Sequence, residues 1–196
     1  MKRLLYVFIS ALIAALCLTA SAEPWEETVG KTLPDFELTC ADGNRFCLSE
    51  ALADKELAVV CLFGSGCGAC QQELRALNLA WQLYQDQVAA IGLSLDRTYD
   101  TDEVLLQFAR ERGIAFPLGR DPARTARFMQ INMYPAFMIV DSACQVRYIE
   151  VNGEASIDHF VELFDQFLGE ESAVTEGCTP EGCPLPDTAQ TGSDAL

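Results

Sequence analysis

Two cysteines three positions apart, Cys67 and Cys70, form the only CxxC motif of this sequence. Such a pair can close a small disulfide, and at the start of a helix the first sulfur lies beside backbone N–H groups that have no partner within the helix. The partial positive charge of those groups favours a thiolate. The spacing therefore predicts a redox-active disulfide in which Cys67 is the nucleophile and Cys70 attacks the mixed disulfide to release the product.

The same spacing also occurs in zinc sites and in purely structural disulfides. Zinc normally takes four ligands, and the only histidine, His159, falls in a distant predicted helix with no second CxxC near it. We therefore expect no metal site and no cofactor. A structural disulfide is the weaker interpretation, because the motif has glycines around it and lies at the junction of two predicted elements.

The segment before the motif, residues 57–63, is a continuous apolar run of strand length, which is typical of a strand buried in the centre of a sheet. It leads directly into Gly64-Ser65-Gly66 and the first cysteine. Residues 68–85 carry apolar side chains at roughly helical spacing and contain no proline. The sequence therefore places the CxxC motif at a strand-to-helix junction.

Further elements alternate along the rest of the chain. Residues 36–40 and 45–48 flank the turn Asp42-Gly43 and predict an N-terminal β-hairpin. The other expected elements are a short helix 49–53 after the hairpin, strand 88–95, helix 101–112, a short extended piece 114–118, helix 122–129, strands 136–140 and 146–151, and helix 156–168. This order predicts an α/β fold in which helices flank a central mixed β-sheet.

Both ends of the chain differ from this domain. Two basic residues and an apolar run precede Ala20-Ser21-Ala22, which predicts a signal peptide over residues 1–22 that is cleaved on export. An uncleaved membrane anchor is the alternative. Residues 170–196 hold six acidic and no basic side chains and predict a mostly disordered tail. We thus expect one domain, residues 23–169, in an oxidising extracytoplasmic space, either secreted or periplasmic.

The formal net charge of the chain is −16, and it becomes −18 when residues 1–22, which hold two basic and no acidic side chains, are removed. The phosphates of nucleic acids and anionic lipids repel such a protein, so neither is an expected partner. The charge is typical of a solvated acidic surface on an exported protein, and we expect a monomer.

With these elements in place, residues 29–168 resemble the thioredoxin-like proteins of the TlpA and ResA type, a redoxin family. The N-terminal hairpin, the strand-CxxC-helix unit, an inserted βα segment and Tyr134-Pro135 before a strand carry the resemblance. It implies a thioredoxin-like fold, with Pro135 as a cis-proline that faces the disulfide. It also implies that Met133 and Tyr134 line the substrate groove and that Glu73 is an active-site glutamate. A solvated helix residue is the other interpretation of Glu73.

Five positions depart from the family pattern. Gly66, beside the implied substrate groove, replaces an aromatic residue, Gly68-Ala69 replaces a frequent proline within the motif, and Arg75 replaces a helix proline. Cys61 stands where thioredoxins have a buried aspartate, and we interpret it as a small buried hydrophobic residue. It should not pair with Cys144, because a thioredoxin-like fold places the two near opposite ends of the sheet.

Four other cysteines predict structural bridges. Cys40 and Cys47 flank the turn of the predicted hairpin, so that a disulfide forms between them if the register brings their Cβ atoms together. Cys178 and Cys183 are expected to close a small local loop within the tail.

The sequence thus predicts an extracytoplasmic thiol-disulfide oxidoreductase that exchanges with exported proteins or small thiols. Reduction is the favoured direction, because Gly and Ala between the cysteines do little to stabilise a thiolate and the negative charge of the chain opposes thiolate formation further. Electrons would then come from a membrane donor. A peroxiredoxin-like peroxidase is one alternative, although that family has Thr or Ser at the position of Gly64. A non-catalytic binding module with the same fold is the other.

Overall fold

The structure is a computed structural model that describes residues 24–122 and 125–169. The predicted signal peptide, the predicted tail and the predicted bridge between Cys178 and Cys183 lie outside these residues. Within the described ranges, no helix has both the length and the apolar character needed to cross a membrane.

The order of strands and helices is the one that the sequence predicts. A short 3₁₀ turn, Glu26–Thr28, comes first. The elements that follow are β1 (Glu37–Thr39), β2 (Arg45–Cys47), α1 (Leu48–Leu52), β3 (Leu57–Phe63), α2 (Gly68–Tyr84), β4 (Val88–Ser94), α3 (Asp102–Arg112), β5 (Leu118–Arg120), α4 (Thr125–Phe128), β6 (Ala136–Asp141), β7 (Val146–Val151) and α5 (Ile157–Gly169).

A mixed sheet of five strands in the order β5-β4-β3-β6-β7 forms the centre of the fold. The middle strand, β3, is parallel to β4 and antiparallel to β6, and all seven of its residues are buried. A parallel pair needs a crossover connection, which α2 supplies between β3 and β4. The continuous apolar run of residues 57–63 follows from this position, because a strand covered on both faces has no side for solvent.

Two apolar clusters cover the two faces of the sheet. Val59, Cys61 and Phe63 of β3 belong to the cluster that includes residues of α2 and α5. Val60 and Leu62 belong to the other cluster, which includes residues of the N-terminal segment and α1. Each large side chain buried in this way stabilises the fold by about 1.5–3 kcal/mol. The core therefore fixes the end of β3, where the CxxC motif begins.

The prediction of a disulfide between Cys40 and Cys47 is wrong, because both cysteines have free, buried thiols. In the hairpin of β1 and β2, Cys47 is paired with Glu37, whereas the Cys40 N–H donates to the Asn44 carbonyl at 2.8 Å. The two cysteines are thus offset by three residues. That offset is about 10 Å along the strands, and a disulfide needs Cα atoms within about 7 Å.

Cys61 and Cys144 do not pair, as the sequence predicts. Cys61 is free, and Cys144 is disulfide-bonded. Leu57 lies opposite Asp141 in the antiparallel pairing of β3 with β6, so Cys144, just after β6, lies near the start of β3. Cys61 lies towards the other end of β3, which is the end that carries the CxxC motif.

Candidate active site

The CxxC motif lies where β3 ends and α2 begins. Cys67 is the N-cap residue of α2, and its Sγ accepts a hydrogen bond from the Cys70 N–H at 3.1 Å. The Cys67 N–H donates to the Gly64 carbonyl at 3.0 Å, which closes the redox loop, Gly64-Ser65-Gly66. The first sulfur is therefore held at a helix N-terminus, where the backbone dipoles favour a negative charge.

The two cysteines form a disulfide with their Cα atoms 5.2 Å apart. They differ in access to solvent, because Cys70 is fully buried whereas Cys67 is partly exposed. Only the Cys67 sulfur is open to a bulky partner. This asymmetry is what an attacking and a resolving cysteine require.

Glu73 is buried one helical turn after Cys70, with 1% of its surface exposed. The Cys61 thiol donates to its Oε1 at 3.7 Å. Burial raises the pKa of Glu73 to about 7, the hydrogen bond from Cys61 acts against this rise, and the charge of Glu150 adds to it. The interpretation of Glu73 as a solvated helix residue is therefore wrong. A carboxyl group with this pKa can take up or give a proton near neutral pH.

Cys61 is part of the core, as the sequence predicts, but its thiol also has a polar partner. Burial is the main reason why the pKa of Cys61 lies well above its ordinary range, and the charge of Glu73 raises it further. The thiol therefore keeps its proton at neutral pH and can serve as a hydrogen-bond donor. The sequence carries no signal for this pairing, because it depends on how α2 packs against β3.

The segment before β6 contacts the redox loop. The Tyr134–Pro135 peptide bond is cis, and Pro135 is buried. The Tyr134 ring packs so closely on Gly64 that a Cβ atom there would lie 2.9 Å from the ring. Met133 is 43% exposed, and its Sδ accepts a hydrogen bond from Asn152 Nδ2 at 3.6 Å. Gly66 is exposed, with open space where a Cβ would lie.

One set of contacts to the redox loop has little signal in the sequence. Buried Asp100 accepts hydrogen bonds from the Ser65 N–H at 3.0 Å and from the hydroxyl groups of Ser65 and Ser94. Asp100 follows β4, whose end lies beside the end of β3 because the two strands are parallel. A polar residue just after the next parallel strand is the only hint that the sequence offers.

A second polar cluster lies across the sheet. Glu150 accepts hydrogen bonds from the Tyr148 hydroxyl and from the Glu154 N–H, and its Oε2 lies 2.9 Å from His159 Nε2. Phe137 is paired with Glu150 on one side and with Cys61 on the other, so the cluster shares a row of the sheet with Cys61. Because Cys61 contacts Glu73, this row brings the charge of Glu150 close enough to raise the pKa of Glu73.

Comparison with solved structures identifies the fold. A protein from Bacteroides thetaiotaomicron that carries the provisional name protein disulfide isomerase is 25% identical and has a TM-score of 0.61, with 72% of this chain and 91% of that chain covered. The thioredoxin domain of a thiol-disulfide oxidoreductase from Bacteroides vulgatus is 20% identical, with a TM-score of 0.58 and coverage of 69% and 96%. The peroxidoxin BcpB from Mycobacterium tuberculosis is 19% identical, with a TM-score of 0.59 and coverage of 72% and 96%.

These likenesses establish a thioredoxin-like fold, and the disulfide at the start of α2 makes the chain a thiol-disulfide oxidoreductase of that fold. Residues 29–149 match the AhpC/TSA family, and the chain belongs to that family. The search of curated proteins gave no match.

Proposed function

We propose that this protein is an exported thiol-disulfide reductase in which Cys67 attacks the substrate disulfide and Cys70 resolves the intermediate. The observation that carries the proposal is the disulfide at the N-terminus of α2, which joins a partly exposed sulfur to a fully buried one. Gly66, Met133 and Tyr134 border the accessible sulfur in this proposal and contact the substrate.

The reaction runs in two exchanges. In the reduced protein the Cys67 thiolate attacks one sulfur of the substrate disulfide, which forms a mixed disulfide and releases the other substrate sulfur as a thiolate. Cys70 then loses its proton and attacks Cys67 Sγ, which closes the intramolecular disulfide and frees the second substrate thiol. Two electrons pass to the substrate. A dithiol donor, which we place in the membrane, reduces the Cys67–Cys70 disulfide again.

Glu73 is the proton acceptor that we propose for the second exchange. It lies three residues after Cys70, on the same face of α2, and both side chains are buried. Burial gives Glu73 a pKa of about 7, so its carboxylate can take the Cys70 proton near neutral pH without binding it too tightly to release.

The direction of electron flow follows from what stabilises the Cys67 thiolate. A strongly oxidising protein holds that thiolate well, whereas this motif offers only Gly68-Ala69 between the cysteines. The carboxyl groups of Glu73 and Asp100 also lie at this end of the sheet, and negative charge opposes a thiolate. These features support reduction rather than oxidation of substrates.

Export is proposed from the first residues of the chain. The charged start, the apolar run and Ala20-Ser21-Ala22 support cleavage after Ala22 and action on exported proteins in an oxidising compartment. The N-terminal residue of the mature protein should then be Glu23, which N-terminal sequencing of the exported protein tests. A protein that retains its first residues would instead support a membrane anchor.

The test of the proposed activity is reduction of insulin with dithiothreitol as the electron source, measured beside consumption of hydrogen peroxide. We expect the protein to accelerate insulin reduction, the C67S variant to lose the effect, and the C40S variant to keep it. Peroxide consumption that exceeds insulin reduction would favour the peroxidase. No activity in either assay would favour a binding module.

The peroxidase alternative also meets an obstacle in the structure. Peroxiredoxin-like chemistry places a Thr or Ser hydroxyl where this chain has Gly64. A Cβ atom at Gly64 would lie 2.9 Å from the Tyr134 ring, so such a side chain enters only if the ring moves. The close packing of Tyr134 therefore supports the exchange reaction over peroxide reduction.

A further inference from the structure

Tyr99 is an aromatic residue with 75% of its surface exposed, close in sequence to a buried carboxylate that holds the redox loop. Most apolar side chains of this size in the described part of the chain belong to the core. Aromatic side chains of this kind are enriched at protein contacts, because they offer a large rigid surface with little rotamer entropy to lose. A single exposed aromatic residue is not by itself a site. Whether Tyr99 belongs to a binding site depends on how its backbone is held and on where it lies relative to the redox loop.

The backbone that carries Tyr99 is held by a dense set of hydrogen bonds. Asp96 Oδ1 accepts from the N–H groups of Thr98 and Tyr99, both at 3.1 Å. The Thr101 N–H donates to the Tyr99 carbonyl at 3.0 Å, and the Asp100 N–H donates to the Asp96 carbonyl at 3.0 Å. The aromatic ring is therefore presented to solvent from a rigid turn.

Asp100 fixes this turn to the redox loop. Its carboxylate accepts the Ser65 N–H at 3.0 Å as well as the Ser65 hydroxyl, and Ser65 lies two residues before Cys67. The Ser65 carbonyl in turn accepts from Gln71 Nε2 at 3.0 Å, which fastens the loop to α2. The position of Tyr99 relative to the Cys67 sulfur is thus set by a short chain of bonded groups.

The order of the strands places a second exposed apolar residue on the other side of the redox loop. Tyr99 follows β4, and Met133 precedes β6, while β3 lies between these two strands and ends in the redox loop. The Tyr134 ring contacts Gly64, just as Asp100 contacts Ser65. Met133 and Tyr99 are thus each next in sequence to a residue that contacts the redox loop, and they belong to the segments on its two sides.

We propose that Tyr99 is a specificity-determining residue that contacts an extended polypeptide substrate beside its disulfide, and that Asp100 is the positioning residue that holds Tyr99 at that place. This inference rests on the proposed reductase function. The occupant is a polypeptide, because a small disulfide at Cys67 does not extend over Ser65 to the turn beyond it. The net charge of −16 favours a neutral or basic chain, and the ring favours an apolar side chain next to the cysteine.

The experiment uses two synthetic peptides of neutral charge that carry the same disulfide and differ only in a leucine or a serine beside one cysteine. Hydroxyethyl disulfide reports the chemistry alone. We expect the protein to prefer the leucine peptide by about fivefold in kcat/KM, mainly through KM. The Y99S variant should lose that preference and keep its rate on hydroxyethyl disulfide. The Y99F variant should retain the preference.

The control is L83S, because Leu83 is 72% exposed and lies near the far end of α2. This variant should leave the rates on all three substrates unchanged. D100N should weaken the leucine preference in the natural background but not further in Y99S, which is the non-additivity expected of coupled residues. A preference that survives Y99S overturns the inference. Activity on hydroxyethyl disulfide without activity on either peptide also overturns it while leaving thiol-disulfide exchange in place, and a protein inactive on all three substrates refutes the proposed function itself.

Discussion

Cys67 and Cys70 form a disulfide across the first turn of α2, whereas Cys40 and Cys47 remain free thiols in the N-terminal hairpin. Both pairs are close in sequence. A helical turn brings the two ends of a CxxC motif together whatever surrounds it, and here their Cα atoms are 5.2 Å apart. In a hairpin the register decides the distance, and the register paired Cys47 with Glu37 instead. Closeness in sequence becomes closeness in space only through the local backbone.

The two regions also differ in how easily a cysteine thiol loses its proton. The helix N-terminus favours charge on Cys67. In the hairpin, burial raises the pKa of Cys40 to about 11, with a further contribution from the charge of Asp42. Cys47 Sγ lies 3.6 Å from an Asp35 carboxylate oxygen and 3.2 Å from the Ser49 hydroxyl. The hairpin cysteines thus belong to the packing of that region, whereas the Cys67–Cys70 disulfide lies at the accessible end of β3.

The largest expected effect is the loss of the attacking sulfur. Replacing Cys67 with serine should lower the rate of disulfide reduction by at least about 1000-fold, because a hydroxyl group at that place cannot form a mixed disulfide. C40S, at the edge of the hairpin, should retain most of the activity. An insulin reduction assay on both variants makes the comparison. A C40S variant as inactive as C67S would contradict the separation of the two regions.

The second cysteine should give a different result. In C70S the mixed disulfide at Cys67 still forms, but no thiol resolves it, so covalent complexes with substrate should accumulate. These complexes are detected on non-reducing gels and by intact mass, and dithiothreitol should release them. C47S is the matched control and should trap nothing. Complexes that form in C67S and not in C70S would show that the two roles are reversed.

The carboxyl group beside the redox pair should make stability depend on pH. Glu73 has a pKa of about 7 in the folded protein, against 4.5 for an ordinary glutamate, so the folded state holds its proton more tightly than the unfolded state does. This stabilisation is complete below pH 4.5 and is lost as the pH rises towards 7, a change of about 3 kcal/mol at most. Urea unfolding of the oxidised protein from pH 4 to pH 8 measures it.

The variant E73Q has no titrating group at position 73, so its free energy of unfolding should lose that part of the pH dependence. E162Q, which changes an exposed glutamate on α5, should behave like the natural protein. If E73Q and the natural protein show the same dependence of unfolding free energy on pH, the buried carboxyl group is not its source.

Three glycines test the two loops with smaller effects. G64A places a Cβ atom 2.9 Å from the Tyr134 ring and should destabilise the fold by about 1–3 kcal/mol. G43A forces an alanine into the hairpin turn at a φ of +85° and should cost about 1 kcal/mol. G66A meets open space and should be nearly neutral. Thermal unfolding of the three variants ranks them, and a neutral G64A would refute the close approach of Tyr134.

Features that depend on short-range pattern could be predicted from the sequence. A local sequence signal marks each of three features: the apolar run of β3, the CxxC motif at the start of α2 and the glycine in the hairpin turn. The order of the elements and the redox disulfide could therefore be predicted from the sequence. The register of the hairpin could not be predicted in this way, because one residue more or less in the turn changes every cross-strand pair. The sequence therefore placed Cys40 and Cys47 too close together.

Features that depend on packing between distant elements had no such signal. Asp100 and Ser65 are 35 residues apart, and they meet only because β4 aligns in parallel with β3. The burial of Glu73 depends on which face of α2 packs on the sheet, so the sequence left two interpretations open. The contact of Tyr134 with Gly64 likewise requires the position of β6 beside β3.

The most direct test of the account asks which cysteines change with redox potential. The protein is equilibrated in dithiothreitol buffers of stepped potential, alkylated while folded, unfolded, alkylated with a second reagent, and mapped by mass spectrometry. For the Cys67–Cys70 peptide the account predicts a single two-electron transition between a linked and a reduced form, in which the equilibrium constant changes tenfold per about 30 mV. Cys40 and Cys47 should take only the second reagent at every potential, because they are buried. A linked Cys40–Cys47 peptide at any potential, or a Cys67–Cys70 linkage that never forms, would contradict it.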